Sequence, residues 1–314
     1  MRRFAEHSKD PRLQPVIARL AAPIRVAVLG RGGVGRGTVA AALAASGVAV
    51  TTDATAADVQ VVVIAEAVKP EDRALLAADK PSVTVLNKAD LTGLGDGGPL
   101  ARAHRRAAEF RALTGVPAVP MIALLATAEL DDELMWALRL LVTEPADLTS
   151  TDAFVDATHT VPPELRRRLL ATLDRFGIAS ALLALGEGAA VSSVLRRASR
   201  LDRVVEHIVA AAAPVRYRRL QTAITELRCI AVLSSDSQLA DFLSTDETVL
   251  AVMSAAVDVV EALGVQVDRG DDAAAHLRRA VRWRRYSRGP LSPLHRNCAG
   301  DIARGSLRLL GQAR

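Results

Sequence analysis

Apolar residues in the first half of the chain fall into short runs that are separated by helical or glycine-rich segments. Five of these runs predict buried strands, because each is brief, is rich in Val, Ile or Leu and is bounded by turn residues. The runs cover residues 24–29, 48–52, 59–65, 82–86 and 118–125. Since segments of helical periodicity lie between them, the pattern predicts an α/β fold with a doubly wound, mostly parallel sheet.

Apolar spacing beyond residue 158 is helical throughout, which predicts an all-α region after the sheet. Gly177 is predicted to end the first of these helices, and Ser244-x-x-Glu247 is a capping box that predicts the start of another. The predicted helices span residues 164–176, 178–185, 190–199, 202–213, 217–234, 238–243, 245–263, 271–286 and 293–310.

Chain length and this change of pattern predict two domains. Of the 314 residues, 1–23 form an N-terminal extension, 24–143 the α/β domain, 144–158 a polar linker and 159–314 the helical domain. Cys229 and Cys298 lie outside any metal-ligand spacing and are expected to be reduced thiols of a cytoplasmic protein. We predict neither a signal peptide nor a membrane-spanning segment.

A glycine-rich loop connects the first predicted strand to an Ala-rich helix, with the sequence Gly30-Arg31-Gly32-Gly33-Val34-Gly35-Arg36-Gly37-Thr38. Glycines let backbone N–H groups approach phosphate oxygens, and a helix N-terminus adds partial positive charge. The phosphate-loop signature G-x-x-x-x-G-K-[ST] fits Gly30 and Gly35, but Arg36 replaces its Lys and Gly37 its hydroxyl residue. The predicted phosphate contacts are Gly33, Gly35, Arg36, Gly37 and Thr38. The alternative is a glycine turn that only packs the helix on the strand.

Three polar side chains in the sequence Asn87-Lys88-Ala89-Asp90 follow the fourth predicted strand. The Asp90 carboxylate can accept two parallel hydrogen bonds, and guanine carries a matching pair of donors on its Watson–Crick edge, whereas adenine does not. The Lys88 stem can lie over the purine face, and the Asn87 side chain can brace neighbouring loops. The predicted base site therefore contains Asn87, Lys88 and Asp90, with GTP or GDP as the ligand.

Residues 24–143 resemble an Era-like or dynamin-like GTPase domain of the P-loop class. The resemblance lies in the run from Ala57 to Val63, in Lys69-Pro70-Glu71-Asp72, and in Val85 to Leu91, which contains the Asn-Lys-x-Asp motif. Residues 120–124 are similar to the fifth motif of that family, although its usual first Ser is absent. The resemblance implies guanine-nucleotide binding and a backbone N–H near Ala123 that faces the guanine carbonyl.

The segment between the glycine loop and the third predicted strand departs from that family. Family members carry a switch Thr and then D-x-x-G there, whereas only residues 46–54 follow the helix in this chain. Asp53 stands where the Asp would be, and Ala56 occupies the Gly position that senses the γ-phosphate. Thr38 and Asp53 are therefore predicted to be poor Mg²⁺ contacts. We expect a degenerate domain, a pseudo-GTPase with little hydrolysis of its own.

Three other functions fit parts of the same pattern. Residues 31–36 also resemble the deviant phosphate loop of the ParA and MinD ATPases, K-G-G-V-G-K-[ST]-[ST], with Asp53 in their D-x-D region and both lysines replaced by arginine. The other two alternatives are an active GTPase with unusual metal handling and a nucleotide-free interaction module in which both motifs are relics. The sequence therefore leaves enzymatic activity open.

The helical domain resembles the extension that follows GTPase domains in some actinobacterial dynamin-like proteins, which are often encoded as unequal pairs. The resemblance implies a regulatory or scaffold role beside a second GTPase-like protein, or self-association. Residues 271–314 carry ten arginines and three acidic residues. This basic segment could bind a membrane surface or an acidic partner, and the alternative is that it forms only a solvated helix face. We expect no nucleic-acid partner, and we assign no metal site to the six histidines.

Overall fold

The computed structural model describes residues 11–77, 79–93 and 96–313. These residues form two compact units. One unit comprises residues 24–208 and contains the sheet, and it is called the sheet unit below. The other, the helical unit, combines helix α1 (Leu13–Ala21) with the residues from 209 onward.

The sheet unit has five parallel strands, so the predicted α/β class and the parallel sheet are confirmed. The strands are β1 (Arg25–Gly30), β2 (Ala49–Thr51), β3 (Val59–Ile64), β4 (Ser82–Leu86) and β5 (Ala118–Pro120). Their order is β2-β1-β3-β4-β5, so the chain winds outward from β1 to β2 and then crosses back to build the other side. All six residues of the central strand β3 are buried, as expected for a strand that is covered on both faces.

Helices connect the strands and pack against them. The helices of this unit are α2 (Arg36–Ala45), α3 (Pro70–Leu76), α4 (Gly98–Thr114), α5 (Ala123–Ala126), α6 (Asp132–Thr143), α7 (Thr151–Asp156), α8 (Pro163–Gly186) and α9 (Val191–Ser199), with a 3₁₀ turn at Ala89–Thr92. The N-terminus of α6 is capped by Asp131, whose carboxylate accepts the N–H of Leu134 at 2.9 Å. One apolar core joins β3, β4 and helices α4 to α9.

The fifth strand is shorter than the sequence predicts. It was expected over residues 118–125 but ends at Pro120, and the chain turns into α5 at Ala123. The N–H of Ala123 is bound by a side chain and not by a neighbouring strand, which ends the ladder there. The predicted length was therefore wrong because an apolar run cannot show where a side chain replaces a strand partner.

The helix that was expected to stop at Gly177 continues to Gly186. Its backbone breaks earlier, at Asp174, where φ is 54° and ψ is 175°. Gly177 provides room for close packing instead, since a Cβ at this position would lie 2.5 Å from Leu125 Cδ2. The glycine thus allows α8 to approach α5, and the predicted role as a helix stop is wrong.

The predicted linker and domain boundary differ from the compact units. Residues 144–158 contain α7, whose Phe154 is fully buried. The buried Arg166 of α8 donates hydrogen bonds to the carbonyls of Phe154 and Ala157, at 2.5 and 2.7 Å, and ties α7 to α8. Helices α7 to α9 therefore belong to the sheet unit, and the boundary between the units lies at residues 208 and 209.

The described residues of the helical unit form helices and connecting loops only. Helix α10 (Leu201–Ser234) contributes its residues from 209 onward, and α11 (Ser237–Ser244), α12 (Asp246–Ala262), α13 (Ala273–Tyr286) and α14 (Pro293–Gln312) follow. Helices α12 to α14 pack around a core that contains the fully buried Cys298. The nearby Tyr217 hydroxyl donates to the Asp301 carboxylate at 2.6 Å, and burial raises the pKa of the Cys298 thiol to about 12.

Two predictions for the helical region were wrong in detail. The separate helices expected over residues 202–213 and 217–234 form one helix, α10, which continues through Pro214. Ala213 and Tyr217 on either side are buried, so packing offsets the backbone hydrogen bond that proline cannot donate. The cap of α12 is Thr245 and not the predicted Ser244, since the Thr245 hydroxyl accepts the N–H of Thr248 at 3.4 Å.

One helix among the described residues, α8, is long and apolar enough to cross a membrane by length and composition. Its residues Leu169, Leu173, Ile178 and Ala181 are fully buried in the core of the sheet unit. Burial in this core accounts for the apolar composition of α8.

Candidate functional site

Three segments that carry predicted site residues meet at the carboxyl edge of the sheet. The glycine loop follows β1, the segment Asn87–Asp90 follows β4, and the segment with Ala123 follows β5. In open α/β sheets, ligands bind outside the carboxyl ends of the strands, next to the point where the winding reverses. Here that point lies between β1 and β3. The predicted phosphate and base residues therefore lie at the edge where this class of fold binds ligands.

The conformation of the glycine loop requires glycine at two positions. Gly33 and Gly35 have φ values of 81° and 83°, which residues with a side chain rarely adopt. A Cβ on Gly35 would also lie 2.3 Å from Asn87 Nδ2. Gly35 therefore allows both the left-handed turn and the close approach of the loop backbone to Asn87.

The glycine loop leads directly into α2, whose first helical residue is Arg36. The N–H groups of the first turn, which include those of Gly37 and Thr38, have no acceptor within the helix and point out of its N-terminus. The exposed Arg36 side chain donates to the Gly30 carbonyl at 3.2 Å. Its positive charge is thereby held at the loop, together with the N–H groups that an anion would need.

Arg31, the other basic residue of the loop, is committed to a different partner. Its Nε donates to both carboxylate oxygens of the fully buried Asp72, at 3.1 and 3.2 Å. Asp72 also accepts the N–H of Lys69 at 3.0 Å, which caps the start of α3. This ion pair joins the loop to α3 and neutralises Arg31, the residue that stands for the first lysine of the ATPase-type loop.

Asn87 connects the three segments through its side-chain amide. Its Nδ2 donates to the Val34 carbonyl at 3.0 Å, and its Oδ1 accepts the N–H of Ala123 at 3.1 Å. Its backbone N–H donates to the carbonyl of Ile64, the last residue of β3, at 2.7 Å. The side chain is only 4% exposed. The bracing of neighbouring loops that the sequence predicts for Asn87 is thus observed.

Lys88 and Asp90 both reach solvent, and both side chains keep hydrogen-bonding capacity that a ligand could use. Lys88 is exposed and has a left-handed backbone with φ of 55°. The Asp90 carboxylate is partly buried, and within the described ranges no other residue donates a hydrogen bond to it. Burial raises the pKa of Asp90, and the like charge of Asp174 raises it further. A carboxylate that is partly buried and lacks donors from other residues is stabilised most by a ligand that supplies hydrogen-bond donors.

Of the two predicted Mg²⁺ contacts, Thr38 lies in the first turn of α2, and Asp53 is bound within its own loop. Asp53 Oδ1 accepts the hydroxyl and the N–H of Thr55, at 2.6 and 2.8 Å, and these hydrogen bonds lower the pKa of Asp53. It also accepts the N–H of Ala56 at 3.2 Å. No three His, Cys, Asp or Glu residues in the part of the chain that the structure describes are arranged to hold a metal ion.

In the segment after β5, the backbone N–H that is available to a ligand is not the one that the family resemblance implies. The Ala123 N–H, which the family resemblance places on a base carbonyl, is donated to Asn87. The next N–H, that of Leu124, lies in the first turn of α5, where it has no acceptor within the helix. A base contact from this segment would therefore come from Leu124, which sequence reasoning missed.

Two acidic residues near this edge were also missed by sequence reasoning. Asp72 has a local signal, because a Pro at the first helical position with an acidic residue two positions later is a pattern of helix starts. Asp174 has none, since nothing in the sequence around it indicates a break in an otherwise regular helix. Its influence on Asp90 is visible only in the folded chain.

Comparisons of the chain with protein-family models, with curated proteins and with solved structures gave no match. The structure itself establishes the class of fold, an α/β unit with a five-stranded parallel sheet and additional helices.

Proposed function

We propose that the sheet unit is a degenerate P-loop GTPase-like domain that binds guanine nucleotide at the carboxyl edge of its sheet. The supporting observation is the Asn87 amide, which joins the glycine loop to the Ala123 segment, while Asp90 in the same motif has a carboxylate to which no other described residue donates a hydrogen bond. Guanine supplies two N–H donors to one carboxylate, whereas adenine would leave Asp90 unpaired. The base proposed for this site is therefore guanine.

Each side chain has a proposed role toward the nucleotide. The N–H groups between Gly33 and Thr38 would bind the phosphates, and Arg36 would exchange its bond to the Gly30 carbonyl for one to a phosphate oxygen. The Lys88 stem would cover the purine face. The N–H of Leu124, in place of Ala123, would donate to the base carbonyl.

We further propose that hydrolysis is slow or absent and that the protein is a regulatory or scaffold partner of an intact GTPase-like protein in the cytoplasm. Gly37 offers no hydroxyl, and Asp53 already accepts the Thr55 hydroxyl, so these residues do not fit a Mg²⁺ ion and we assign it no step. The Ala56 N–H is bound to Asp53 and is not available to sense a γ-phosphate. These contacts favour binding without turnover.

Calorimetric titration of the purified chain with GDP, GTP and ATP, with and without Mg²⁺, tests the proposed base site. We expect guanine-selective binding that weakens roughly thirtyfold in Asp90→Ala, because loss of hydrogen bonds to a charged group costs about 2 kcal/mol. Glu109→Ala, which removes an exposed carboxylate from α4, is the matched control and should bind GDP like the unmodified chain.

The other outcomes of this titration separate the alternatives. Tighter binding of ATP that is unaffected by Asp90→Ala would favour the ParA-like ATPase. Mg²⁺-dependent GTP turnover that is lost in the variant would indicate an active GTPase with unusual metal handling. Failure to bind any nucleotide at millimolar concentration would contradict the proposal and leave an interaction module whose two motifs are relics.

A further inference from the structure

An open groove of about 510 Å³ lies between α6 and the start of α8 in the sheet unit. Trp136 lines this groove and is 50% exposed. Large aromatic side chains are costly to leave in water, and tryptophan is among the residues that dominate the energy of protein interfaces. We call this surface, which is formed around Asp132, Glu133, Trp136, Glu164 and Leu165, the Trp136 groove.

The Trp136 groove is acidic. Asp132, Glu133 and Glu164 line it together with one basic residue, Arg168. Arg168 is bound to Glu133 and to Asp131, and Glu164 is paired with Arg167, so Asp132 is the lining carboxylate that a new partner could pair with. Asp132 forms no ion pair with any residue that the structure describes. An exposed indole face beside carboxylates is the chemistry that binds a guanidinium group, which can stack on the ring and pair with the acid. The groove therefore fits a partner that brings arginine.

Helix α13 of the helical unit exposes a complementary surface. Leu277 and Val281, one turn apart, are 50% and 60% exposed. Arg282 and Arg285 are exposed beside them and form no ion pair within the described ranges. No acidic residue occurs in the sequence from 273 to 300, and the nearest described carboxylate that senses Arg282 is that of Asp268, whose pKa this arginine helps to lower. We call this surface the α13 face.

We propose that the α13 face of one copy of this chain docks into the Trp136 groove of a second copy. Arginine from the α13 face stacks on Trp136 and pairs with Asp132, while Leu277 and Val281 cover the apolar part of the groove. The occupant is inferred from charge complementarity, because the Trp136 groove has carboxylates beside an apolar surface and the α13 face has arginines beside two aliphatic residues. The contact accounts for a half-exposed Trp and for two exposed aliphatic residues at once.

The contact joins two different surfaces, which fixes the kinds of assembly that it can form. Two copies related by a twofold axis can exchange the contact reciprocally, and any other relation extends into a ring or a filament. This inference does not depend on nucleotide binding, so it stands or falls separately from the function proposed for the sheet edge.

Sedimentation of the full chain over a range of concentrations tests the inference. We expect reversible association that weakens as ionic strength rises from about 0.1 M to about 0.5 M, because salt screens the arginine–carboxylate pairs. Trp136→Ala and the double variant Arg282→Glu/Arg285→Glu should each lower the association constant about tenfold or more. Arg218→Glu/Arg228→Glu makes the same change of charge on exposed arginines of α10 and should have no effect.

A mixing experiment separates this contact from other kinds of association. Trp136→Ala keeps an intact α13 face, and Arg282→Glu/Arg285→Glu keeps an intact groove, so their mixture retains one good contact and should form a one-to-one dimer. Each variant alone should be monomeric, with the circular dichroism of the unmodified chain. A wild-type chain that stays monomeric at its highest soluble concentration overturns the proposal, even if it then binds anionic vesicles through the α13 face. Association that survives both variants overturns it as well.

Discussion

Asn87 satisfies polar groups on two other segments of the chain through a single amide. Its Nδ2 and Oδ1 serve the Val34 carbonyl and the Ala123 N–H in a place that is nearly closed to water. A buried donor or acceptor that loses its partner costs about 1–3 kcal/mol. Asn87 therefore contributes to folding of the carboxyl edge before any ligand binds.

Asn87→Ala is expected to lower the free energy of unfolding of the sheet unit by about 2–4 kcal/mol, because two buried backbone groups lose their partner. Urea denaturation followed by circular dichroism measures this loss. Lys88→Ala changes the exposed neighbour and should alter stability by less than about 0.5 kcal/mol. Equal effects of the two substitutions would argue against a bridging role for Asn87.

The sequence predicted the role of Asn87 better than the roles of the charged residues around it. A short amide at the end of a strand reaches only nearby backbone groups, so its bracing role follows from its position. Arg31 and Asp53 are different, because each found a partner, Asp72 and Thr55, that no motif encodes. Competing hydrogen bonds of this kind decide whether a charged side chain is free for a ligand, and they appear only in the folded chain.

Helix α8 is divided by the backbone conformation of one residue. The φ of 54° and ψ of 175° at Asp174 lie near a region populated almost only by glycine, which costs other residues about 1–3 kcal/mol. Asp174 Oδ1 accepts the N–H of Arg175 at 2.6 Å, and the helix resumes there. The same carboxylate raises the pKa of Asp90. The strained point of α8 thus acts electrostatically on the candidate base site.

Asp174→Gly is expected to stabilise the sheet unit by about 1 kcal/mol, because relief of strain exceeds the entropy that glycine adds to the unfolded chain. Thermal unfolding measures the change as a rise of about 2–4 °C in the midpoint. Ala171→Gly, three residues earlier in the same helix, should instead destabilise it by about 1 kcal/mol. A loss of stability in both variants would show that the backbone at Asp174 is not strained.

Strands were easier to predict than the ends and partners of helices. The buried strands are short apolar runs, and β1 to β4 lie within two residues of their predicted bounds. Helix α10 continues through Pro214 because buried residues on both sides hold it, which is a tertiary effect that local propensity does not contain. Helix α7 lies in the predicted linker because its six residues are too few to show a helical period.

At the scale of the whole molecule, the sequence predicts a sheet followed by helices, with a linker at residues 144–158, whereas the compact units divide at residues 208 and 209. Helical periodicity shows which face of a helix is apolar, and it does not show which core that face joins. Helices α7 to α9 join the core of the sheet unit, whereas α1 packs with α10 and α11 in the helical unit. The helical unit therefore combines two segments that are distant in sequence, which no composition shift reveals.

The two thiols are expected to react with a thiol reagent at very different rates. Cys229 is exposed and should be modified at once, whereas Cys298 is fully buried, and its raised pKa leaves almost no thiolate at neutral pH. We expect Cys298 to react at least about a thousandfold more slowly than Cys229. This ratio corresponds to a free energy of roughly 4 kcal/mol for opening the structure around Cys298. Mass spectrometry of the Cys229→Ser variant over time checks this, and rapid modification of that variant would contradict it.

The slow modification of Cys298 also reports on the opening of the helical unit. Because Cys298 lies in the core of the helical unit, its modification rate records how often that unit opens. Cys298 is thus an intrinsic probe of local unfolding, and no label has to be introduced. Comparing this rate with the unfolding of the sheet unit would reveal whether the two halves melt as one cooperative body or as separate ones.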